Sequence, residues 1–258
     1  MKLLLVNPNI SDDVTKVMAE EARRSASPGT EIVTTTARFG VLYIENRAEA
    51  AIASHAVLDA IAEHGSGADA VIISAFGDPG LAASRELYDL PIVGLAESAF
   101  LMAWTLGHRY SIVAMTPRLG AWFRESAQQH GLDGRLASVR ALAQGPTDIG
   151  KAREELREAL VAECLKAVAD DGAEVVILGG GPIAGLAREC ADRIPVPALD
   201  GVSCAVRLAE ALVGLHPRPP ERGSFTRPPA KPNRGLSPAL GAVIDRTADP
   251  ARERRGVL

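Results

Sequence analysis

Cysteine is scarce in this chain of 258 residues. Cys164, Cys190 and Cys204 are odd in number and fall in no CxxC or CxxH spacing, which argues against a disulfide framework and a structural zinc site. Reduced thiols are the expectation, with no metal. An excess of basic charge is also missing. The net charge is −4, with Lys and Arg scattered until the extreme C-terminus, so the chain has no electrostatic footprint for a nucleic-acid partner. A long apolar leader is absent as well. The opening MKLLLVNPN meets Asn and Pro after a short apolar run, without the length or cleavage site of a signal peptide. It reads as the first strand of a cytoplasmic protein with no membrane partner. What is present is 47% hydrophobic composition with 23% charge, enough for a sizeable core in one large domain or two small ones.

Short apolar runs alternate with longer segments of helical period. KLLLVN, EIVTTT, AVIISAF, PIVGLA, YSIVAMT, ASVRAL, EVVILGG and PVPALD read as strands buried on both faces. Segments between them, such as AEAAIASHAVLDAIAEHG and KAREELREALVAECLKAVADDG, carry apolar residues three and four apart. This pattern predicts an α/β fold with parallel sheets. The chain also repeats itself: GADAVIISA (67–75) aligns with GAEVVILGG (172–180), and LPIVGLAESA (90–99) aligns with IPVPALDGVS (194–203). A weaker third pair is LVNPN (5–9) with AMTPR (114–118). The expected architecture is two pseudo-symmetric lobes, each a small parallel doubly wound sheet flanked by helices. Residues 1–97 plus about 206–235 are assigned to the first lobe and 98–205 to the second. Ligands of such sheets bind beyond the carboxyl ends of the strands, which gathers 7–11, 75–78, 116–118 and 179–182 around one cleft. After Leu215 the composition turns to Pro, Arg and Gly, predicting an extended C-terminal arm and a disordered tail over 236–258.

Two turns stand out. After AVIIS the chain runs through Ala75, Phe76 and Gly77 to Asp78 and Pro79, the form of an N-cap followed by proline at the first helical position. In ILGGGPIAGLA, Gly180, Gly181 and Pro182 make the matching turn. Glycines there let successive backbone N–H groups face a carboxylate or an imide oxygen beside a helix N-terminus. Taken alone, a triple glycine also fits a tight turn that needs positive φ.

The stretch LLLVNPNIS, the segment FGVLYIENRAEAAIASHAVLDAI, the turns SAFGDPGL and ILGGGPIAGLA, the element PIVGLAESA and the tail RGSFTRPPAKP together resemble the aspartate/glutamate/hydantoin racemase superfamily. The resemblance is nearest to its hydantoin and allantoin racemase branch and extends to about residue 235. It implies a cofactor-independent homo-oligomer with a small-molecule substrate. It also implies a cleft with one cysteine from each lobe on opposite faces of a carbon acid, one thiolate removing the α-proton and the other thiol returning it. Here those positions are Ala75 and Gly180, and neither side chain has an exchangeable proton. Two-thiol racemisation is therefore expected to be altered or lost, and Ala75→Cys with Gly180→Cys is expected to restore it.

The expected substrate-binding residues are Asn9, Ser74, Ala75, Phe76, Gly77, Thr116, Gly180, Gly181 and Pro182, of which Asn9 and Thr116 match family positions that hold polar groups of the substrate. Phe39 and Tyr43 fall on the segment that resembles the family's cleft-covering loop. Asp78, Glu97 and Cys204 are the remaining acid/base candidates. Glu97 is equally explained by the dipole of the helix it begins, Asp200 is placed at the matching point of the second lobe, and a free Cys is commonly a small buried hydrophobe. His55, His64 and His108 show no ligand spacing. The expected function is a racemase-family enzyme acting on a small cyclic ureide, imide or amino-acid-like carboxylate. A ring-opening hydrolase or decarboxylase using the same oxyanion-binding cleft, or a non-catalytic binder, are the alternatives.

Overall fold

A computed structural model of the chain describes residues 1–247. Strand β1 (Lys2–Asn7) buries Leu3, Leu4, Leu5 and Val6 without alternation, as a parallel strand covered on both faces must. It pairs in parallel with β2 (Glu31–Thr36) on one side and β3 (Ala70–Ile73) on the other, and β3 pairs with β4 (Ile92–Gly94). The second sheet is built from β5 (Tyr110–Ala114), β6 (Leu136–Ala141), β7 (Val175–Gly179) and β8 (Ala198–Asp200), again all parallel. The orders are β2-β1-β3-β4 and β6-β5-β7-β8, so the same connectivity occurs twice. The two sequence repeats are the β3/β7 and β4/β8 regions, and the lobes are pseudo-symmetric as expected.

Helices cover the sheets: α1 (Asp12–Ser25), α2 (Arg47–His64), α3 (Leu81–Leu87) and α4 (Leu95–Leu106) in the first half, then α5 (Pro117–Gln129), α6 (Ala152–Asp171), the short α7 (Leu186–Glu189) and α8 (Gly201–Leu215). Helix α1 starts where Ser11 accepts from the Val14 N–H, with Asp12 and Asp13 in its first turn, and α2 starts where Asn46 accepts from Glu49. Helix α8 follows the last strand of the second sheet yet packs on β3, β4, α1 and α4, returning the chain to the first lobe. Among the described residues no helix is long and apolar enough to cross a membrane.

The few aromatics are concentrated where the lobes meet. Phe76, from the turn after β3, packs on Phe100 of α4 (centroids 5.7 Å apart) and on Phe123 of α5 (4.6 Å), and Phe100 packs on Tyr110 of β5 (5.7 Å). Each such pair adds about 0.5–1.5 kcal/mol beyond area burial, so these contacts fix the inter-lobe angle, and with it the cleft.

Residues 216–236 run as an arm without regular structure. Part of the expected disordered tail is instead folded: Pro238–Ile244 form α9, capped by Ser237, and Leu240 and Val243 are buried beside Val57, Ile61 and Tyr88. Two apolar side chains three residues apart, anchored on α2, outweigh the flanking Pro, Gly and Arg. The rest of that expectation, 248–258, lies outside the described residues.

Candidate active-site cleft

One small cavity opens between the lobes at the carboxyl ends of the strands, where parallel sheets place their ligands. Asn9 after β1, Tyr43 and Ile44 after β2, Ser74, Ala75 and Phe76 after β3, and Gly180, Gly181 and Pro182 after β7 all line it. Ala75 and Gly180 thus face one space. Its remaining wall is apolar, from Val14 of α1 and Leu119, Trp122 and Phe123 of α5. The space between atoms is about 330 Å³ including the mouth, but centres of water-sized groups have only about 20 Å³. That suffices for a water or two.

The polar lining is unusually free of protein partners. The Ser74 hydroxyl is buried, its residue only 2% exposed, and makes no hydrogen bond among the described residues. Asn9 Oδ1 accepts from Asn7 Nδ2 (2.9 Å) and from the Ser11 N–H (2.9 Å), while Asn9 Nδ2 has no acceptor among the described residues. At the two turns, the N–H groups of Ala75, Phe76, Gly77 and Gly180 likewise have no acceptor among the described residues. Burial, reinforced by the carboxylates of Glu45 and Glu49, raises the Tyr43 phenol well above its ordinary range, so it remains a donor. Among the described residues, no Asp, Glu, His, Lys, Arg or Cys lines the cavity. Among the described residues, no three His, Cys, Asp or Glu side chains are grouped as metal ligands.

Several expected site residues lie elsewhere. Thr116 does not reach the cavity: it caps α5, accepting from the Leu119 N–H (3.4 Å), and its hydroxyl donates to Glu45 (2.6 Å). Phe39 is exposed and packs its ring, tilted, against His55 (centroids 5.0 Å apart) rather than on the cavity wall. Gly77 sits behind Trp122, whose ring occupies the place a side chain there would take. Phe76 lines the cavity but is mainly core, packed on Phe100 and Phe123.

Asp78 is not the cap of the helix that follows it. Helix α3 begins at Leu81 behind Gly80, and the Asp78 side chain turns to α4, accepting from the N–H groups of Ala96 (2.9 Å) and Glu97 (2.8 Å). Its φ of 52° is a left-handed conformation that costs a non-glycine residue of order 1–3 kcal/mol, held here by those contacts. Glu97 points away from the cleft into a two-pronged ion pair with Arg85 (2.9 Å to Nη1). His130, at the end of α5, joins this cluster with Nε2 at 3.1 Å from Asp78 and Nδ1 at 3.8 Å from Glu97. Burial alone lowers the His130 imidazole, but the Asp78 hydrogen bond and the charges of Asp78 and Glu97 outweigh burial and Arg85, leaving it raised. Nothing in local sequence marks His130, because its partner is 52 residues away.

Asp200 is not the counterpart of Glu97 either. It caps its own helix α8, accepting from the Ser203 N–H (3.0 Å) and the Ser203 hydroxyl, and burial raises its carboxyl. Cys204 lies on α8 away from the cavity, 5% exposed, its thiol raised by burial and by Asp200. Cys164 is buried in α6 and its thiol is pushed up to about 12. Neither is a thiolate at neutral pH.

The second-lobe turn is set by glycine geometry and by helix α1. Gly180 has φ 139° and ψ 135°, open to glycine but rarely to L side chains, and a Cβ there would stand 3.0 Å from Met115 Cε. A Cβ on Gly181 would stand 2.6 Å from Met18 Sδ of α1. Glu21, three residues further along α1 and almost fully buried, accepts from Arg188 Nη2 (2.7 Å) of α7. Helix α1 of the first lobe therefore holds the turn of the second, through a buried Glu21 carboxylate and a half-exposed Arg188.

The sequence matches the family profile described as Asp/Glu/Hydantoin racemase over residues 3–209. It is 34% identical over 233 residues to a hydantoin racemase of Paenarthrobacter aurescens, covering 90% of this chain and 99% of that one. Among solved structures it superposes on an allantoin racemase from Klebsiella pneumoniae with a TM-score of 0.88 at 34% identity, covering 93% of this chain and 99% of that one. An allantoin racemase from Pseudomonas fluorescens follows at 0.86 and 36%, covering 91% and 100%. With the twin lobes and the inter-lobe cleft, these matches place the chain in the Asp/Glu/hydantoin racemase family.

Proposed function

We propose that the cleft binds a small, neutral cyclic ureide or imide, and that two-thiol proton exchange on that ligand is altered or lost in this chain. The observation that carries the reading is the shared cavity of Ala75 and Gly180, with donors at hand and no thiol. An imide or ureide ring offers carbonyl oxygens, and the Ser74 hydroxyl, the Tyr43 phenol, Asn9 Nδ2 and the turn amides are donors without protein acceptors to compete. An amino-acid-like carboxylate fits less well, because burying an anion without a cation beside it is costly and no Lys, Arg or His among the described residues lines the space. Such donors stabilise a developing enolate oxygen by a few kcal/mol, but no side chain in the cavity is fit to carry the α-proton away.

A five-membered ring exceeds the room available, so binding requires outward movement of a wall. The wall formed by Tyr43 and Ile44 is the one that can move: 39–46 lack regular structure and are tied to the rest by the Ile10 N–H to Val41 O bond (3.1 Å) and the Thr116–Glu45 bond, while Ala37 and Arg38 anchor the segment's start to Asn7 O (2.9 Å) and Asp59 (2.8 Å).

Thermal-shift and calorimetric titration with hydantoin, allantoin and aspartate tests the reading. Binding of a ureide with little or none of aspartate is expected, weakened by about tenfold in Ser74→Ala and Asn9→Ala through the loss of one hydrogen bond each. Tighter binding of aspartate, or ureide binding indifferent to both substitutions, contradicts it.

A further inference from the structure

We infer that His130 is a positioning residue for the ligand-binding turn at Ala75, acting through the Asp78 carboxylate. The inference rests on the cleft reading above. The Asp78 N–H closes the turn onto the Ala75 carbonyl (3.0 Å), so the set of Asp78 fixes where the N–H groups of Ala75, Phe76 and Gly77 sit. Asp78 holds a left-handed φ of 52°, and its carboxylate is what anchors it there. Two of its donors, the Ala96 and Glu97 amides, are permanent. The third, His130 Nε2, belongs to the one group here that titrates near neutrality, with its midpoint held above the ordinary 6.5.

The groups facing the imidazole come from three elements besides its own. They are Asp78 of the turn, Glu97 of α4 and Arg85 of α3, which is itself paired to Glu97; the Phe100 ring of α4 lies 6.2 Å away. On α5 the His130 N–H is spent on Ser126 O, which fixes the residue at the helix end. As imidazolium, His130 makes a charge-assisted bond to Asp78. Once neutral it leaves two carboxylates facing a single guanidinium, and the anchor of a strained residue weakens. The N–H groups of the turn then lose the placement that Asp78 gives them.

NMR of the Ala75, Phe76 and Gly77 amides and of the His130 ring, from about pH 5.5 to about pH 9, tests this in wild type and in His130→Gln, which keeps a donor but does not titrate. The amides are expected to follow the ring's midpoint, above the ordinary 6.5, in wild type and to stay flat in the variant. Hydantoin affinity is expected to weaken about fivefold across that midpoint in wild type only. Wild-type amides that ignore the ring, or that titrate equally in His130→Gln, overturn the inference. If hydantoin binds at no pH while the amides still follow the ring, the ligand assignment fails and the positioning role stands. Should His130→Gln not fold, Asp78→Asn replaces it: a ring midpoint that does not fall in that variant overturns the inference.

Discussion

The carboxylate of Asp78 occupies the space that a side chain on Gly94 would need, and from there it caps α4. The second lobe solves the same problem differently, with Asp200 capping α8 from within its own chain segment. Gly94 is therefore a glycine for reasons of approach, its φ of −104° being open to any residue. Gly94→Ala is expected to expel Asp78 and destabilise the protein by about 2–4 kcal/mol, the sum of overpacking and a lost cap. Denaturant unfolding measures it. Combining Gly94→Ala with Asp78→Ala should cost less than the two singles added, because the methyl takes vacated space.

Restoring the thiols is not symmetric. Ala75 lines the cavity, so Ala75→Cys places sulfur in the cleft, whereas a side chain on Gly180 is strained by φ 139° and meets Met115. The expectation that the double reversion restores racemisation is revised accordingly. Gly180→Cys is expected to destabilise by about 1–3 kcal/mol. Racemase activity is expected only where Met115 is also shortened, as in Ala75→Cys/Gly180→Cys/Met115→Ala, assayed by optical rotation.

All three native thiols are expected to be inert. Cys164, Cys190 and Cys204 are buried, and burial holds Cys164 and Cys204 well above neutrality. A chromogenic disulfide reagent at mildly alkaline pH should label none of them until denaturant is added. Rapid labelling of the folded protein would show that Cys204 has access the structure denies it.

Helix α9 contributes to the core of the first lobe. Leu240→Ala is expected to lower unfolding stability by about 2–4 kcal/mol, the usual cost of removing a buried leucine side chain. Ending the chain at Gly235 should cost at least as much, and a truncation without effect on denaturant midpoint would show that α9 docks too weakly to matter.

Stability should depend on pH through His130. Its folded value is raised above the ordinary 6.5, so its contribution is complete below 6.5 and is lost as pH rises through the folded value. Unfolding midpoints of wild type should fall across that window, and those of His130→Gln should fall less.

Strands are readable because burial on both faces leaves unbroken runs such as Leu3–Val6, and the twin lobes because the β3 and β7 segments, GADAVIISA and GAEVVILGG, share four of nine residues in register and the same apolar pattern. The apolar wall of the cleft was legible in principle. Leu119, Trp122 and Phe123 stand at i, i+3 and i+4 on a helix that starts at a strand's carboxyl end, so the stripe reads as a buried face, and the structure shows it packing on β5 and β6 with one side reaching the cleft. The electrostatics behind the cleft were not legible. The His130–Asp78 and Thr116–Glu45 contacts join residues 52 and 71 positions apart, and no local pattern encodes such pairings. For the same reason Asp78 looked like the cap of the helix it precedes, when the free N-terminus it serves lies 18 residues on.

The most direct measurement follows a single enantiomer of a substituted hydantoin with the protein in deuterated water, reading bound-state amide shifts, optical rotation and solvent deuterium at the α-carbon together. The expected result is ligand-induced shifts at Ser74–Gly77 and Gly180–Gly181, with rotation and α-deuteration no faster than without protein. Enzyme-rate loss of rotation by the native chain, or shifts confined to some other surface, would contradict a thiol-free ureide cleft between the two lobes.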